Sequence, residues 1–142
     1  MLSFEDLMHD HSAIFAAVRT LMQEIEADSP AVQVAASLAH LDSLLTPHLA
    51  IEDGQIYPLL LASDDAGQRI MAEEAINAFA SVASDWNTFV AIWSETAIAA
   101  HRDGIVTGLQ SLLDTLQRRV RAENEILYPM ALRAAHIRLR AA

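Results

Sequence analysis

The chain has 142 residues, 53% of them apolar, and a formal charge of −10, with arginine as its only fixed side-chain cation and no lysine or cysteine. This length suits one domain spanning residues 1–142, and the acidity without a basic patch argues against nucleic acid as a partner. The missing thiols exclude disulfides, thiolate metal sites, iron–sulfur clusters and cysteine nucleophiles, so a metal would have to rest on histidine and carboxylate.

Ser3-Phe4-Glu5-Asp6 has the character of a capping box and predicts a helix start. Leu7, His11, Ile14, Val18, Leu21 and Ile25 then recur in alternating steps of four and three, the seam of a bundled helix with a histidine in an apolar place. Asp28-Ser29-Pro30 predicts the first turnaround, with Ser29 as N-cap and Pro30 in the first turn of the next helix. That second helix carries Leu38, Leu41, Leu45, His48, Glu52, Gln55 and Leu59 on its stripe, and Pro47 is expected to kink or interrupt it just before His48.

A third helix is predicted from about Ala66 into the high nineties, bearing Ile70, Glu73, Ile76, Phe79, Ala80, Ala83, Trp86, Phe89 and Trp93. Asp103-Gly104 opens a fourth, with Leu109, Leu112, Leu116, Arg119, Glu123, Ile126 and Met130 on its seam. Four amphipathic helices with short connections predict an all-α, antiparallel up-down-up-down four-helix bundle. No apolar run reaches membrane-spanning length, and Met1–Leu7 lacks the features of a signal peptide, so a cytoplasmic protein that does not cross a membrane is expected.

The second and fourth helices are degenerate copies. Leu41, Leu45, His48, Glu52, Tyr57, Pro58 and Leu59 align with Leu112, Leu116, Arg119, Glu123, Tyr128, Pro129 and Met130. The copies agree in apolar spacing, one carboxylate and a Tyr-Pro, and differ where His48 faces Arg119. His11, His48, Glu52, Arg119 and Glu123 thus all fall on seams, where charge is costly unless it is paired or coordinates a metal. Glu52 follows His48 by four residues, so both reach one ion from one helix face, and His11 would complete a two-histidine, one-carboxylate set. Such a set suits non-haem iron, with manganese or zinc as competitors.

With these motifs the chain resembles the hemerythrin-like (HHE cation-binding) family over nearly its whole length. His11, His48 and Glu52 before Ile56-Tyr57-Pro58, and Glu123 before Leu127-Tyr128-Pro129, match that family's pattern. The resemblance implies iron held inside the bundle and a small diatomic ligand or an oxidant as partner. Two histidines of the pattern are replaced: Glu73 stands at the third-helix position and Arg119 at the fourth. Arginine stays protonated and cannot ligate, and a cation about 5 Å from a dication costs roughly 6–7 kcal/mol at an effective dielectric of 20.

Three arrangements follow. One ion sits on His11, His48 and Glu52, with Arg119 as counter-charge paired to Glu73 and Glu123. Alternatively Arg119 swings away, and Glu73 and Glu123 join as ligands for two ions. In the third, an Arg–Glu–His network holds the core without metal. The functions implied are sensing or handling of dioxygen, nitric oxide, peroxide or iron, a small non-haem iron peroxidase or oxidase, or a metal-free interaction module. Whether the chain is an enzyme stays open at this stage.

His9 reads as exposed, His40 and His101 as solvated, and His136, among Arg133, Arg138 and Arg140, as complementing the helix dipole near the C-terminus. The aromatic stripe Phe79, Trp86, Phe89 and Trp93 reads as core, with any exposed part a candidate homodimer surface. Tyr57 and Tyr128 stand ready either to donate hydrogen bonds near the site or to pack at helix ends.

Overall fold

The computed structural model describes the backbone of residues 3–141 and the side chains of residues 3–135; His136 lies outside the described side chains. The elements are α1 (Phe4–Glu26), α2 (Ala31–Ile51), α3 (Tyr57–Leu61), α4 (Ala66–Phe79), α5 (Val82–Ile92), α6 (Glu95–Ala100), α7 (Arg102–Ala122) and α8 (Tyr128–Ala141). Wide turns at Glu52–Ile56 and Glu123–Leu127 join α2 to α3 and α7 to α8. The chain thus forms the expected all-α four-helix bundle, with α2–α3 and α7–α8 as two long legs, α1 as another, and α4 to α6 making up the third leg in chain order.

Ser3 caps α1 as predicted, its side chain accepting from the Asp6 N–H at 3.3 Å. At the first turnaround the expectation needs correction: Pro30 occupies the N-cap position of α2 and Ser29 gives no side-chain cap. The Ser29 carbonyl instead accepts from Arg102, and Asp28 makes the reversal at φ 55°. Nor does Pro47 interrupt α2, which runs unbroken from Ala31 to Ile51.

The interruptions come at the Tyr-Pro pairs. Pro58 and Pro129 carry no N–H, and in a regular helix their rings would meet the carbonyl four residues back. Each helix widens just before them, so the Tyr57 N–H bonds to the Glu52 carbonyl and the Tyr128 N–H to that of Glu123, five residues back instead of four. The extra residue shifts the register beyond it. Gln55 and Ile126, placed on the seams by regular periodicity, are exposed, whereas Ile56, Tyr57, Leu127 and Tyr128 are buried.

The third leg is broken rather than continuous. It turns at Ala80–Ser81 and again at Trp93–Ser94, where the Ser94 side chain caps α6 by accepting from the Ala97 N–H. At the first break the Phe79 carbonyl accepts from Arg119 Nη1 at 3.2 Å. Trp86 and Phe89 lie in the core, as expected, with Phe79 and Trp93 half-buried against it. Packing there is close: a Cβ at Gly108 of α7 would lie 3.2 Å from the Phe89 ring.

Two apolar clusters build the interior. One gathers Ile14, Leu45, Leu49, Leu116 and Val120 with the aromatic residues of α5. The other gathers Leu7, Ile56, Tyr57, Leu127 and Tyr128 with Ala72 and Ala75 of α4. Between them in the sequence of every leg but the third come the buried polar residues His11, His48, Glu52, Arg119 and Glu123. Among the described residues, no helix is long and apolar enough to cross a membrane.

Candidate metal centre

His11 comes from α1, His48 from the last turn of α2, Glu52 from the first wide turn and Glu123 from the second. Each offers one ligand atom, and these atoms all lie within 4.8 Å of one another, with every one of the four residues buried. His48 Nε2 stands 2.9 Å from Glu52 Oε1, and His11 Nε2 stands 3.3 Å from Glu123 Oε1. The histidine rings meet edge to face at 4.8 Å.

Each ring is oriented from behind. His11 Nδ1 lies 3.0 Å from Asn124 Oδ1, and His48 Nδ1 lies 3.2 Å from Asp10 Oδ2. With Nδ1–H donating to these oxygens, Nε2 of both rings keeps its lone pair for the interior, the usual arrangement of ligating histidines. The carboxylates are fixed by the two tyrosines: Tyr128 donates to Glu52 Oε2 at 2.5 Å, and Tyr57 donates to Glu123 Oε2 at 3.2 Å. Tyr128 also lies 3.1 Å from His11 Nε2, its ring stacked on the imidazole. The tyrosines are therefore hydrogen-bond donors at the site as well as packing residues.

Arg119 points into the bundle and is fully buried. Its Nε donates to Glu123 Oε2 at 3.2 Å, its Nη2 to Asp53 Oδ1 at 2.7 Å and its Nη1 to the Phe79 carbonyl. Nη2 is also 3.6 Å from Glu52 Oε1, and the guanidinium lies over the Tyr57 ring, 5.1 Å from its centroid. The expected partner Glu123 is present, but the expected partner Glu73 is not. Glu73 is exposed, because α4 turns Ala72 and Ala75 toward the core and leaves Glu73 on its outer side. Asp53 takes that role from the first wide turn.

The electrostatics follow from burial and crowding. Burial, and next the adjacent Glu52 carboxyl, push Glu123 up to about 7, against the opposing pull of His11 and Arg119. For Glu52, burial acts upward but is outweighed by the adjacent Glu123 and His48 and by the Arg119 charge, which hold it below the ordinary carboxylate range. Burial pulls His48 down, yet the neighbouring Glu52 and Asp10 carboxylates outweigh it and leave the imidazole raised. Both tyrosines are pushed up, by burial first and then by Glu123 and Glu52, and stay protonated as donors.

A divalent metal fits these residues on one internal observation. His48 Nε2, Glu52 Oε1 and Glu123 Oε1 are fully buried and have no hydrogen-bond partner; the 2.9 Å approach of the first two lacks hydrogen-bond geometry. Orphaned buried polar atoms are costly, and here three converge within the reach of a single cation. Imidazole plus carboxylate without thiolate is a donor set for iron, manganese or zinc.

The model of the hemerythrin HHE cation-binding domain family matches residues 2–131. The chain belongs to this family. No curated protein and no solved structure matches it significantly. Within the family frame, His11, His48, Glu52 and Glu123 come together as one group, while Glu73 stays outside it. Sequence reasoning missed Asp10, Asn124 and Asp53. Each is the chain neighbour of a predicted site residue, and adjacency to a buried polar seam position was the one signal that could have raised them.

Proposed function

We propose that this hemerythrin HHE domain holds a single non-haem metal ion, iron ahead of manganese or zinc, on His11, His48, Glu52 and Glu123. The observation that carries this reading is the pairing of three orphaned donor atoms with a buried guanidinium beside them. Arg119 stands where the second copy of the motif would otherwise supply a histidine, and its charge opposes a second dication there. Two ions would need Arg119 displaced and further ligands found, and Glu73 is exposed.

The residues divide the work. The two histidines and two glutamates hold the ion, Asn124 and Asp10 set the ring orientation, and Tyr57 and Tyr128 keep each carboxylate from rotating. When bound, the metal would supply a Lewis-acidic and redox-active centre for a small diatomic ligand or an oxidant. Sensing or handling of dioxygen, nitric oxide, peroxide or iron is the role proposed, in the cytoplasm. The same site with turnover would make a small peroxidase or oxidase. Ser12 and Ser43, the serines near histidines in the sequence, are exposed on helices.

Elemental analysis of protein purified anaerobically without chelator, with absorption spectra before and after air, tests the proposal. The expected result is about one iron per chain and no oxo-bridge charge-transfer bands. About two irons with such bands would mean that Arg119 yields its place. No metal, and none retained after adding ferrous iron, would leave a metal-free interaction module held by its Arg–Glu–His network.

A further inference from the structure

Outside the ligand group lies a cavity of about 250 Å³ between the α3 segment and α4, lined by Asp53, Tyr57, Pro58, Leu61, Ile76 and Ala80. Its walls are apolar except at one end. There the Asp53 carboxylate, 36% exposed, meets the wholly buried Arg119 through the 2.7 Å bond from Nη2. The tyrosine that forms part of the wall is the one whose ring underlies the same guanidinium. The cavity thus meets the anion of an ion pair, Asp53, whose cation Arg119 lies wholly buried behind it and does not itself line the cavity.

The pair is unequal. Arg119 is held from three sides, by Glu123, the Phe79 carbonyl and Asp53. Among the described residues, Asp53 has no hydrogen-bond partner other than Arg119, and it sits on the wide turn next to Gly54, where an added Cβ would meet nothing within 4 Å. The three bonds engage three of the five N–H donors a guanidinium carries. A free carboxylate in the cavity presents the same two oxygens as Asp53, can accept from Nη2 in its place, and gives its alkyl end to Pro58, Leu61 and Ile76. Asp53 needs only to turn outward into solvent to yield.

We propose that this cavity binds a short-chain monocarboxylate, whose carboxylate replaces that of Asp53 on Arg119 while its alkyl group lies on the apolar wall. None of the proposed metal ligands lines this cavity. A ligand there changes what holds Arg119, which touches Glu123 directly, and so adjoins the centre without entering it.

The test is titration of the full chain, metal-free and metal-loaded, with propionate and separately with its neutral isostere propionamide, followed by backbone and arginine Nε–H NMR signals. Saturable shifts at Asp53, Gly54 and Tyr57 and at the Arg119 Nε–H are expected with propionate and not with propionamide. Asp53→Asn weakens the internal competitor and should tighten propionate about tenfold; Arg119→Gln should abolish binding. Because Arg119→Gln risks the fold, Ile76→Phe, which fills the pouch and leaves the ion pair intact, serves as a second loss variant. No saturable shift with propionate, an equal response to propionamide, or undiminished binding in Ile76→Phe would overturn the proposal. Each outcome is read on metal-free protein as well, so it stands apart from success or failure of the metal reading.

Discussion

The two long legs of the bundle are the same device with a different polar residue at one buried position. In each, an apolar seam leads to a polar residue, then a glutamate four residues on, a widened turn and a Tyr-Pro. In the α2–α3 leg the polar residue is His48, which aims an unpartnered Nε2 at the centre. In the α7–α8 leg it is Arg119, which brings its own charge and spends it on Glu123, Asp53 and the broken end of α4. The same frame thus offers a lone pair on one side and a fixed cation on the other. On the arginine side, the guanidinium bonds the Glu123 and Asp53 carboxylates without any metal.

The sharpest way to break this comparison is Arg119→Met. It leaves Glu123 and Asp53 without their cation, and loss of one partner from a buried pair costs about 3–5 kcal/mol. Denaturant unfolding of the metal-free protein should show a loss of that size, and a loss within about 0.5 kcal/mol would mean the network relaxes into water. On the other leg, His48→Ala removes a proposed ligand. Metal retention against a chelator series should fall at least about a hundredfold, with the helical circular dichroism unchanged; equal retention would remove His48 from the site.

A milder contrast lies behind the rings. Asp10→Asn keeps an acceptor for His48 Nδ1 but removes its charge, so metal affinity should drop about tenfold without a comparable stability loss. If calorimetry gives unchanged affinity, the Asp10 contact does not act on the metal. The smallest effect is the pH slope. His48 and Glu123 both have raised values in the fold, so the stability tied to their protonated forms is lost as pH rises: for Glu123 from about 4.5 through about 7, and for His48 from 6.5 upward. Glu52 is shifted the other way, and its contribution, present above 4.5, is lost only as pH falls through its lowered value. The melting temperature of metal-free protein should therefore fall from pH 5 to pH 8. Saturating metal, which competes with those protons, should flatten or invert the slope.

Much of this was legible before any coordinates. The seam positions of His11, His48, Glu52, Arg119 and Glu123 marked them as buried polar residues in need of partners, and all five are buried. Gln55 and Ile126 were put inside because regular helical periodicity was carried through the two wide turns, where the register slips by one residue. Glu73 was put at the site by matching the family's third-helix histidine, whereas α4 presents Ala72 and Ala75 inward and leaves Glu73 exposed.

What the sequence determined by itself is what depends on local pattern: helix faces repeat with a fixed period, and a charge on an apolar face needs a partner wherever that face is buried. Which partner it finds was decided only by the tertiary structure. Arg119 could have turned to solvent, to Glu73 or to Asp53 at little difference in local geometry. The packed bundle settled the choice by closing around the guanidinium beside Glu123, the Phe79 carbonyl and the partly exposed Asp53, whose bonds offset its desolvation.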